Sequence, residues 1–195
     1  VYFHKVNMLT QNYLVKMLSR ARALAEKGQL TLSVALQKML LDKNLDARGY
    51  ASLNDAHIRV AIPEWAEHED EILSNYAMKM MSRRGFHKSL RIEGLTTEMV
   101  GVVRDRIEEE VAEAGYDPAS EVIYARISKK GYKPYAQGIR IEDGGDASEH
   151  SPLIRSLTQP NERALIFVPD AIRDGLEQRV REWIKPSQSS LVHFE

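Results

Sequence analysis

Apolar residues in the first part of the chain recur at the spacing of a helix. They fall three or four residues apart, so that they form one stripe along a helical surface: Val6, Leu9, Tyr13, Met17, Ala21 and Leu24. Gly28 follows the stripe, and glycine commonly ends a helix because it adopts a positive φ without strain. The pattern predicts an amphipathic helix over residues 6–24.

Two more helices are predicted before residue 84. Apolar residues cluster over 30–41, and residues 42–54 form a polar connection. A helix is predicted over 64–82, just after Pro63, because proline is common at the start of a helix. The apolar side of this helix holds Trp65, Ile72, Leu73, Tyr76, Met80 and Met81. The first 84 residues are therefore expected to be entirely helical.

After Gly85 the pattern mixes strands with helices. Strands are predicted over 89–93, 121–128, 139–142 and 163–168; in the second of these Ile123, Ala125 and Ile127 alternate with polar residues. One helix has Met99, Val103, Ile107 and Val111 inward and begins at a Thr96 or Thr97 cap. The last helix, after Pro169, has Ile172, Leu176, Val180 and Ile184 inward, and residues 143–151 are expected to form a mobile loop.

These elements predict an α+β fold in two parts. A helical segment over 1–84 precedes a small α+β lobe over 86–186, and residues 187–195 form a polar tail. With 195 residues, 43% apolar and 28% charged, the composition is that of a folded globular protein. No apolar run is long enough to cross a bilayer, and Val1–Lys5 does not resemble a signal peptide. We therefore expect a cytoplasmic protein with no membrane partner.

The charge is uneven although the net charge is only −1. Residues 1–84 carry +3 and residues 85–195 carry −4. The first predicted helix is the most basic part, with Lys5, Lys16, Arg20, Arg22 and Lys27 against Glu26 alone. Such a helix can attract phosphate groups, and the alternative is an ordinary solvated helix face.

Several catalytic chemistries are excluded by composition and motif. The chain has no cysteine, which excludes disulfides, thiolate metal sites and a thiol nucleophile. Nucleophile elbows, phosphate-binding glycine loops and H-E-x-x-H helices are also missing. His57 lies near Asp55, and His68 precedes Glu69 and Asp70, but neither run offers three or four ligands at helical spacing. We expect both runs to be surface polar groups and no metal to be bound by this chain.

Five segments, in order along the chain, resemble the motifs of one enzyme family. The segment Tyr2-Phe3-His4-Lys5 resembles a Y-x-H-K helix, and Leu53-Asn54-Asp55 an L-x-D-D segment in which Asn54 replaces the first acid. Trp65 and the residues 68–73 resemble a W-x-x-H-x-D-x-x-L helix. Residues 82–88 resemble an R-R-x-F-K turn, and 151–154 with 161–168 resemble a closing S-P-L segment and strand.

Together the five segments resemble the HD-domain phosphohydrolases related to the deoxynucleoside triphosphate (dNTP) triphosphohydrolases. The resemblance implies a hydrolase that converts a dNTP into nucleoside and tripolyphosphate. The family holds a divalent metal such as Mg, Mn or Fe with a histidine, a His-Asp doublet and a later aspartate. This chain has no His-Asp dipeptide. Since it starts at Val1 rather than at a methionine and leads directly into a predicted helix, we expect it to be the C-terminal part of a longer enzyme, inactive alone and without catalytic or metal residues of its own.

The resemblance also implies binding roles. Tyr2 matches a tyrosine that lines the substrate pocket. His4 and Lys5 match positions that contact the triphosphate of an activating nucleotide, a dNTP or GTP, at a subunit interface, and Arg83 matches one that reaches a regulatory nucleotide in a neighbouring subunit. The family's lysine after the phenylalanine is His87 here. The implied partners are nucleotides, the missing HD segment and further copies of the chain.

Two hypotheses follow. In the first, the chain is the back half of a nucleotide phosphohydrolase and supplies a pocket wall, a regulatory lobe and an oligomer interface. In the second, it is a non-catalytic module whose basic helix and Arg83-Arg84 turn bind nucleotides or single-stranded nucleic acid. The acidic second lobe and its lack of closely spaced aromatic residues disfavour nucleic acid.

Overall fold

The computed structural model describes residues 4–42, 46–130, 139, 141–142, 144–158 and 160–184. The chain forms two compact units, Val1–Lys88 and Ser89–Glu195. The helices of unit 1 are α1 (Lys5–Glu26), α2 (Val34–Leu40), α3 (Ala47–Ser52), α4 (Asp55–Ala66) and α5 (Glu71–Ser82). The regular elements of the described part of unit 1 before Lys88 are all helices, as predicted.

Helix α1 buries the predicted stripe. Leu9, Tyr13, Met17, Ala21 and Leu24 are each at most 4% exposed, whereas Val6 is 41% exposed. The helix ends where Gly28 adopts a φ of 71° and the Gln29 N–H bonds back to the Leu24 carbonyl at 2.9 Å. This is the left-handed helix end for which glycine is best suited.

The prediction for residues 42–82 was wrong in its boundaries. A short helix, α3, begins in the expected connection, where the Asp46 side chain accepts the Gly49 N–H. Pro63 lies inside α4 rather than ahead of a helix. The helical conformation is interrupted between Ala66, where α4 ends, and Glu71, where α5 begins. The Asp70 carboxylate caps α5 by accepting the Leu73 N–H at 2.9 Å, so that a new helix begins where one continuous helix was expected. Met81, expected to be inward, is 54% exposed.

Unit 2 combines helices with a small sheet. Its longer elements are α6 (Thr97–Glu113), β2 (Ile123–Lys130), β3 (Pro160–Val168) and α10 (Asp170–Ile184), with the short α7 (Pro118–Glu121), α8 (Ala147–His150) and α9 (Pro152–Thr158) between them. The two-residue strand β1 (Lys88–Ser89) lies at the boundary of the units. In the described part of the chain the sheet order is β1-β3-β2. Strands β2 and β3 are antiparallel, with Ile123 opposite Phe167. The predicted α+β class is confirmed.

The core of unit 2 lies between α6, α10 and one face of β3. Its most deeply buried residues are Val103, Ile107, Val111, Ile166, Val168, Leu176 and Val180. Of the three residues that alternation in β2 predicted to be inward, Ile123 and Ala125 are buried and Ile127 is half-buried. Both predicted helices are present, and Thr96, of the two candidates, caps α6 by accepting the Met99 N–H. Met99 itself is 37% exposed, and Val100 takes its place in the core.

Three further predictions in unit 2 were wrong. The strand predicted over 89–93 is limited to Lys88–Ser89, with one further bond from the Leu90 N–H to the Ile166 carbonyl. Ile139, Ile141 and Glu142 are not in a strand. The expected loop over 143–151 contains α8, which begins where the Asp146 carboxylate accepts the Ser148 N–H at 2.8 Å. None of the described helices is long and apolar enough to cross a membrane.

Candidate functional site

The beginning of α1 concentrates donors and positive charge. His4 is the N-cap, and its Nδ1 accepts the Val6 N–H at 3.3 Å. A ring nitrogen that accepts in this way leaves the other, Nε2, as an N–H donor when the imidazole is neutral. Lys5 is the first helical residue, the first turn carries no acid, and both side chains are exposed. The partial positive charge of the helix N-terminus adds to that of Lys5.

The end of α5 is equally basic and has an unusual backbone. Arg83 is the C-cap, with a φ of 55° and its N–H bonded to the Lys79 carbonyl at 3.0 Å. Among the described non-glycine residues it alone has a positive φ. Arg84 and Gly85 follow, and the arginine side chains are exposed. A left-handed arginine costs about 1 to 2 kcal/mol, so that neighbouring contacts must hold the turn in place.

Tyr13 supplies those contacts from the interior of α1. Its hydroxyl lies 2.6 Å from Nδ1 of His87 and accepts the backbone N–H of His87 at 2.9 Å. The rings of Tyr13 and Phe86 meet edge to face, with centroids 5.4 Å apart. Tyr13 and His87 are 0% and 3% exposed. The segment directly after Arg83, Arg84 and Gly85 is therefore fixed to α1.

Helices α1 and α5 run antiparallel, which sets the position of the basic residues. Near the start of α5, Asp70 bonds to Arg20 through both carboxylate oxygens, with Nε 3.0 Å from Oδ1 and Nη2 2.5 Å from Oδ2. Further along α5, the Tyr76 ring lies 5.4 Å from that of Tyr13. From Tyr13 back to Lys5 and from Tyr76 on to Arg83 is about two turns in each case, roughly 11 Å.

His4, Lys5, Arg83 and Arg84 therefore lie at the same end of the helix pair, here called the basic end. No aspartate or glutamate occurs between residues 5 and 25 or between 72 and 92. The Arg20–Asp70 pair lies at the opposite end of α5. The arrangement can bind a polyanion, because it offers an ammonium, two guanidinium groups and an imidazole, and the acids of the two helices, Glu26 and Glu71, lie at the opposite end.

The predicted site residues have different outcomes. Tyr2 lies outside the described residues. Arg83 is far in sequence from the adjacent residues His4 and Lys5, and all three lie at the basic end. His87, which stands where the resembled family has a lysine, is buried and bonds to Tyr13. A signal for this pairing exists in the sequence, because a tyrosine in the middle of a buried apolar stripe needs a hydrogen-bond partner.

The two histidine runs do not form metal sites in the described structure. His68 Nδ1 accepts the Asp70 N–H at 3.0 Å, and its Nε2 lies 3.3 Å from the Gln29 carbonyl. The Asp70 carboxylate bonds to Arg20 and caps α5. His57 Nε2 lies 3.3 Å from the Ser52 carbonyl. In the parts of the chain that the structure describes, no three histidine or acidic side chains are grouped so that they could hold an ion.

Comparison with known proteins shows a shared fold at low identity. A phosphohydrolase from Bacteroides thetaiotaomicron VPI-5482 matches 86% of this chain with a TM-score of 0.62 and 23% identity. A hypothetical protein from Aquifex aeolicus matches 95% with a TM-score of 0.56 and 22% identity. The matches cover 46% and 41% of those two chains, so that this chain spans less than half of either. No family model and no curated protein matches the sequence.

Proposed function

We propose that this chain is the C-terminal part of an HD-type phosphohydrolase that converts a dNTP into nucleoside and tripolyphosphate. Its role in that enzyme is to bind a regulatory nucleotide, such as GTP or a dNTP, and to form the oligomer interface, with Tyr2 as a wall of the substrate pocket. The observation that carries the proposal is the antiparallel packing of α1 and α5, which puts His4 and Lys5 at the same end of the helix pair as Arg83. The fold shared with a phosphohydrolase supports it.

The chemistry of the basic end fits a triphosphate. Lys5 is a compact cation suited to phosphate oxygens, and Arg83 can donate two parallel hydrogen bonds to one phosphate. The Nε2–H of His4 adds a donor. Their exposure leaves them accessible, and a second subunit at this end would exclude water from the bound nucleotide.

Exposed apolar side chains support an additional protein partner. Val15 on α1 and Met78 and Met81 on α5 are 62%, 51% and 54% exposed. A preceding HD segment or a second copy of the chain would remove such side chains from water, at about 25 cal/mol for each Å² buried. This agrees with the proposal that the chain belongs to a larger assembly.

The divalent metal of such an enzyme does not fit this chain. The sequence contains no His-Asp dipeptide, and the described residues form no cluster of three ligands. We therefore assign no catalytic step to these residues, and the proposal places the metal ligands in a preceding segment. The nucleotide sequence upstream of the Val1 codon tests this: it should encode a histidine, a His-Asp doublet and a later aspartate, and an upstream protein without them contradicts the proposal.

Calorimetric titration of the chain with dGTP and with inorganic tripolyphosphate tests the basic end itself. Lys5→Ala and Arg83→Ala should each weaken binding about five- to tenfold, because each removes a charged phosphate contact. Lys27→Ala, which removes an exposed lysine from the opposite end of α1, is the matched control and should leave affinity unchanged. Equal effects of all three variants would contradict a local site.

The same titration separates nucleotide binding from nucleic-acid binding. Selective dGTP binding that survives moderate salt supports the nucleotide site. Displacement of dGTP by single-stranded oligo(dT), with an affinity that falls steeply as salt rises, would overturn it in favour of a nucleic-acid module.

A further inference from the structure

The geometry points to a second ligand site, for a small aromatic amine, in a cavity between α2 and α4. The cavity has a volume of about 200 Å³. One wall is the loop before α2 together with Leu36, and the other is a face of α4. The cavity lies within unit 1, and the proposal does not depend on the nucleotide site.

A single stripe of α4 lines the cavity. His57, Val60, Ala61, Glu64 and Trp65 are spaced by three, one, three and one residues, which is the spacing of one helical face. His57 and Glu64 lie two turns apart, about 10 Å along the helix. The face therefore has a polar group near each end with apolar side chains between them.

The depth of the cavity is apolar and its rim is polar. Leu36 and Trp65 are each 2% exposed and Ala61 is 4% exposed, so that these three form a buried floor. Glu64 is exposed and His57 half-buried. A ring that enters the cavity can contact the floor while a polar substituent stays at the rim.

The rim offers acceptors, which defines the complementary charge of the ligand. Among the described side chains, none forms an ion pair with Glu64. His57 Nε2 faces the Ser52 carbonyl at 3.3 Å and must donate to it, because a carbonyl oxygen only accepts. Nδ1 of a neutral His57 is then an acceptor. Each of these acceptors is complementary to an ammonium group and repels a phosphate. Since they lie about 10 Å apart, the ammonium of a small ligand meets one of them, and the Glu64 carboxylate, which carries the full negative charge, is the stronger partner.

The volume limits the size of the ligand. An apolar protein cavity of about 150 Å³ can hold a benzene molecule. A volume of about 200 Å³ therefore accommodates one aromatic ring with a short aminoalkyl chain. The proposed ligand class is a monocyclic arylalkylamine in its protonated form.

Titration with 2-phenylethylamine tests this site. The chain has two tryptophans, and in a Trp183→Phe background the fluorescence reports Trp65 at the cavity floor. We expect a saturable change at millimolar ligand. Glu64→Gln should weaken binding about two- to fivefold, which is the range expected when one partner of an exposed ion pair is neutralised. Glu67→Gln, an exposed residue of the next turn outside the cavity lining, should leave affinity unchanged. Neutral 2-phenylethanol should bind at least threefold more weakly than the amine.

A fluorescence change that does not saturate, or equal affinity of the Glu64→Gln and parent proteins, would overturn the proposal. Equal binding of the amine and the alcohol would overturn it as well, because the charge of the ligand would then have no partner. Glu64 is exposed and in no described ion pair, so the Glu64→Gln protein is expected to fold, which circular dichroism checks.

Discussion

The hydroxyl of Tyr13 bonds to His87 twice, to Nδ1 of the ring at 2.6 Å and to the backbone N–H at 2.9 Å. The two residues are 74 positions apart and almost completely buried. One side chain of α1 thus satisfies both the backbone and the side chain of the segment that follows α5. It also links the two helices that carry the basic end.

Tyr13→Phe should destabilise the protein by about 1 to 3 kcal/mol, because two buried polar groups of His87 lose a partner while the ring remains in place. Urea unfolding followed by circular dichroism measures the change in the free energy of unfolding. Tyr50→Phe is the matched control, since Tyr50 is 73% exposed, and its effect should stay within about 0.5 kcal/mol. Equal stability of the two variants would contradict the role assigned to Tyr13.

Asp70→Asn should remove the pair with Arg20 and keep the helix cap, because asparagine caps a helix as well as aspartate does. The side-chain hydrogen bonds from Arg20 lower the pKa of Asp70, against the effect of its burial, and the Leu73 N–H lowers it further. At neutral pH the variant should lose about 1 to 2 kcal/mol.

The difference between the parent protein and Asp70→Asn should depend on pH. Because the pKa of Asp70 is lower in the folded state, its stabilisation is present above the unfolded value of about 4 and is lost as the pH falls through the folded value. Urea unfolding at a series of pH values should show that the difference in the free energy of unfolding between the two proteins becomes smaller below about pH 4. Glu71→Gln, next in sequence and exposed, serves as the control. A difference in the free energy of unfolding that stays unchanged down to pH 2 would contradict the proposed dependence on the charge of Asp70.

Arg83→Gly should stabilise the fold, because glycine adopts the positive φ at this cap without strain. The gain is limited to about 0.5 to 1 kcal/mol, because glycine also increases the conformational entropy of the unfolded chain. The same change should weaken tripolyphosphate binding if the basic end acts as proposed. Arg84→Gly removes a neighbouring charge from a residue whose φ is not positive, and it should give no stabilisation. Urea unfolding and calorimetry on both variants separate backbone strain from charge.

Thr96→Ala should cost about 1 kcal/mol, because it removes the oxygen that accepts the Met99 N–H at the start of α6. Thr97→Ala, one residue later and exposed, should change stability by less than about 0.5 kcal/mol. Thermal unfolding of the two variants gives the comparison. A larger loss of stability for Thr97→Ala than for Thr96→Ala would contradict the assignment of Thr96 as the cap.

Periodicity predicted the elements whose signal is local. The buried stripes of α1 and α10 and the α+β class follow from spacing alone, because each needs only that one face be apolar. The break before α5 could not be predicted in this way. The pattern placed Asp70 inside a helix, whereas its carboxylate caps α5 by accepting the Leu73 N–H and also bonds to Arg20, 50 residues away.

The candidate site also combines residues that the sequence identified with positions that only tertiary packing sets. The resemblance in sequence selected His4, Lys5 and Arg83, but their shared position depends on the antiparallel arrangement of α1 and α5. The burial of His87 depends on Tyr13, and the choice of Val100 over Met99 depends on the rotation of α6 against the sheet. Such facts are set by tertiary packing, to which a single sequence gives only indirect access.

The pairing of β2 with β3 has a consequence for how the chain folds during its synthesis. Ile123 pairs with Phe167, so that a ribosome adding roughly 5 to 20 residues per second completes β2 several seconds before its partner is available. During that interval β2 is an unpaired strand able to join another chain. Arg126 and Ser128, both exposed in the finished sheet, lower its tendency to aggregate until β3 emerges.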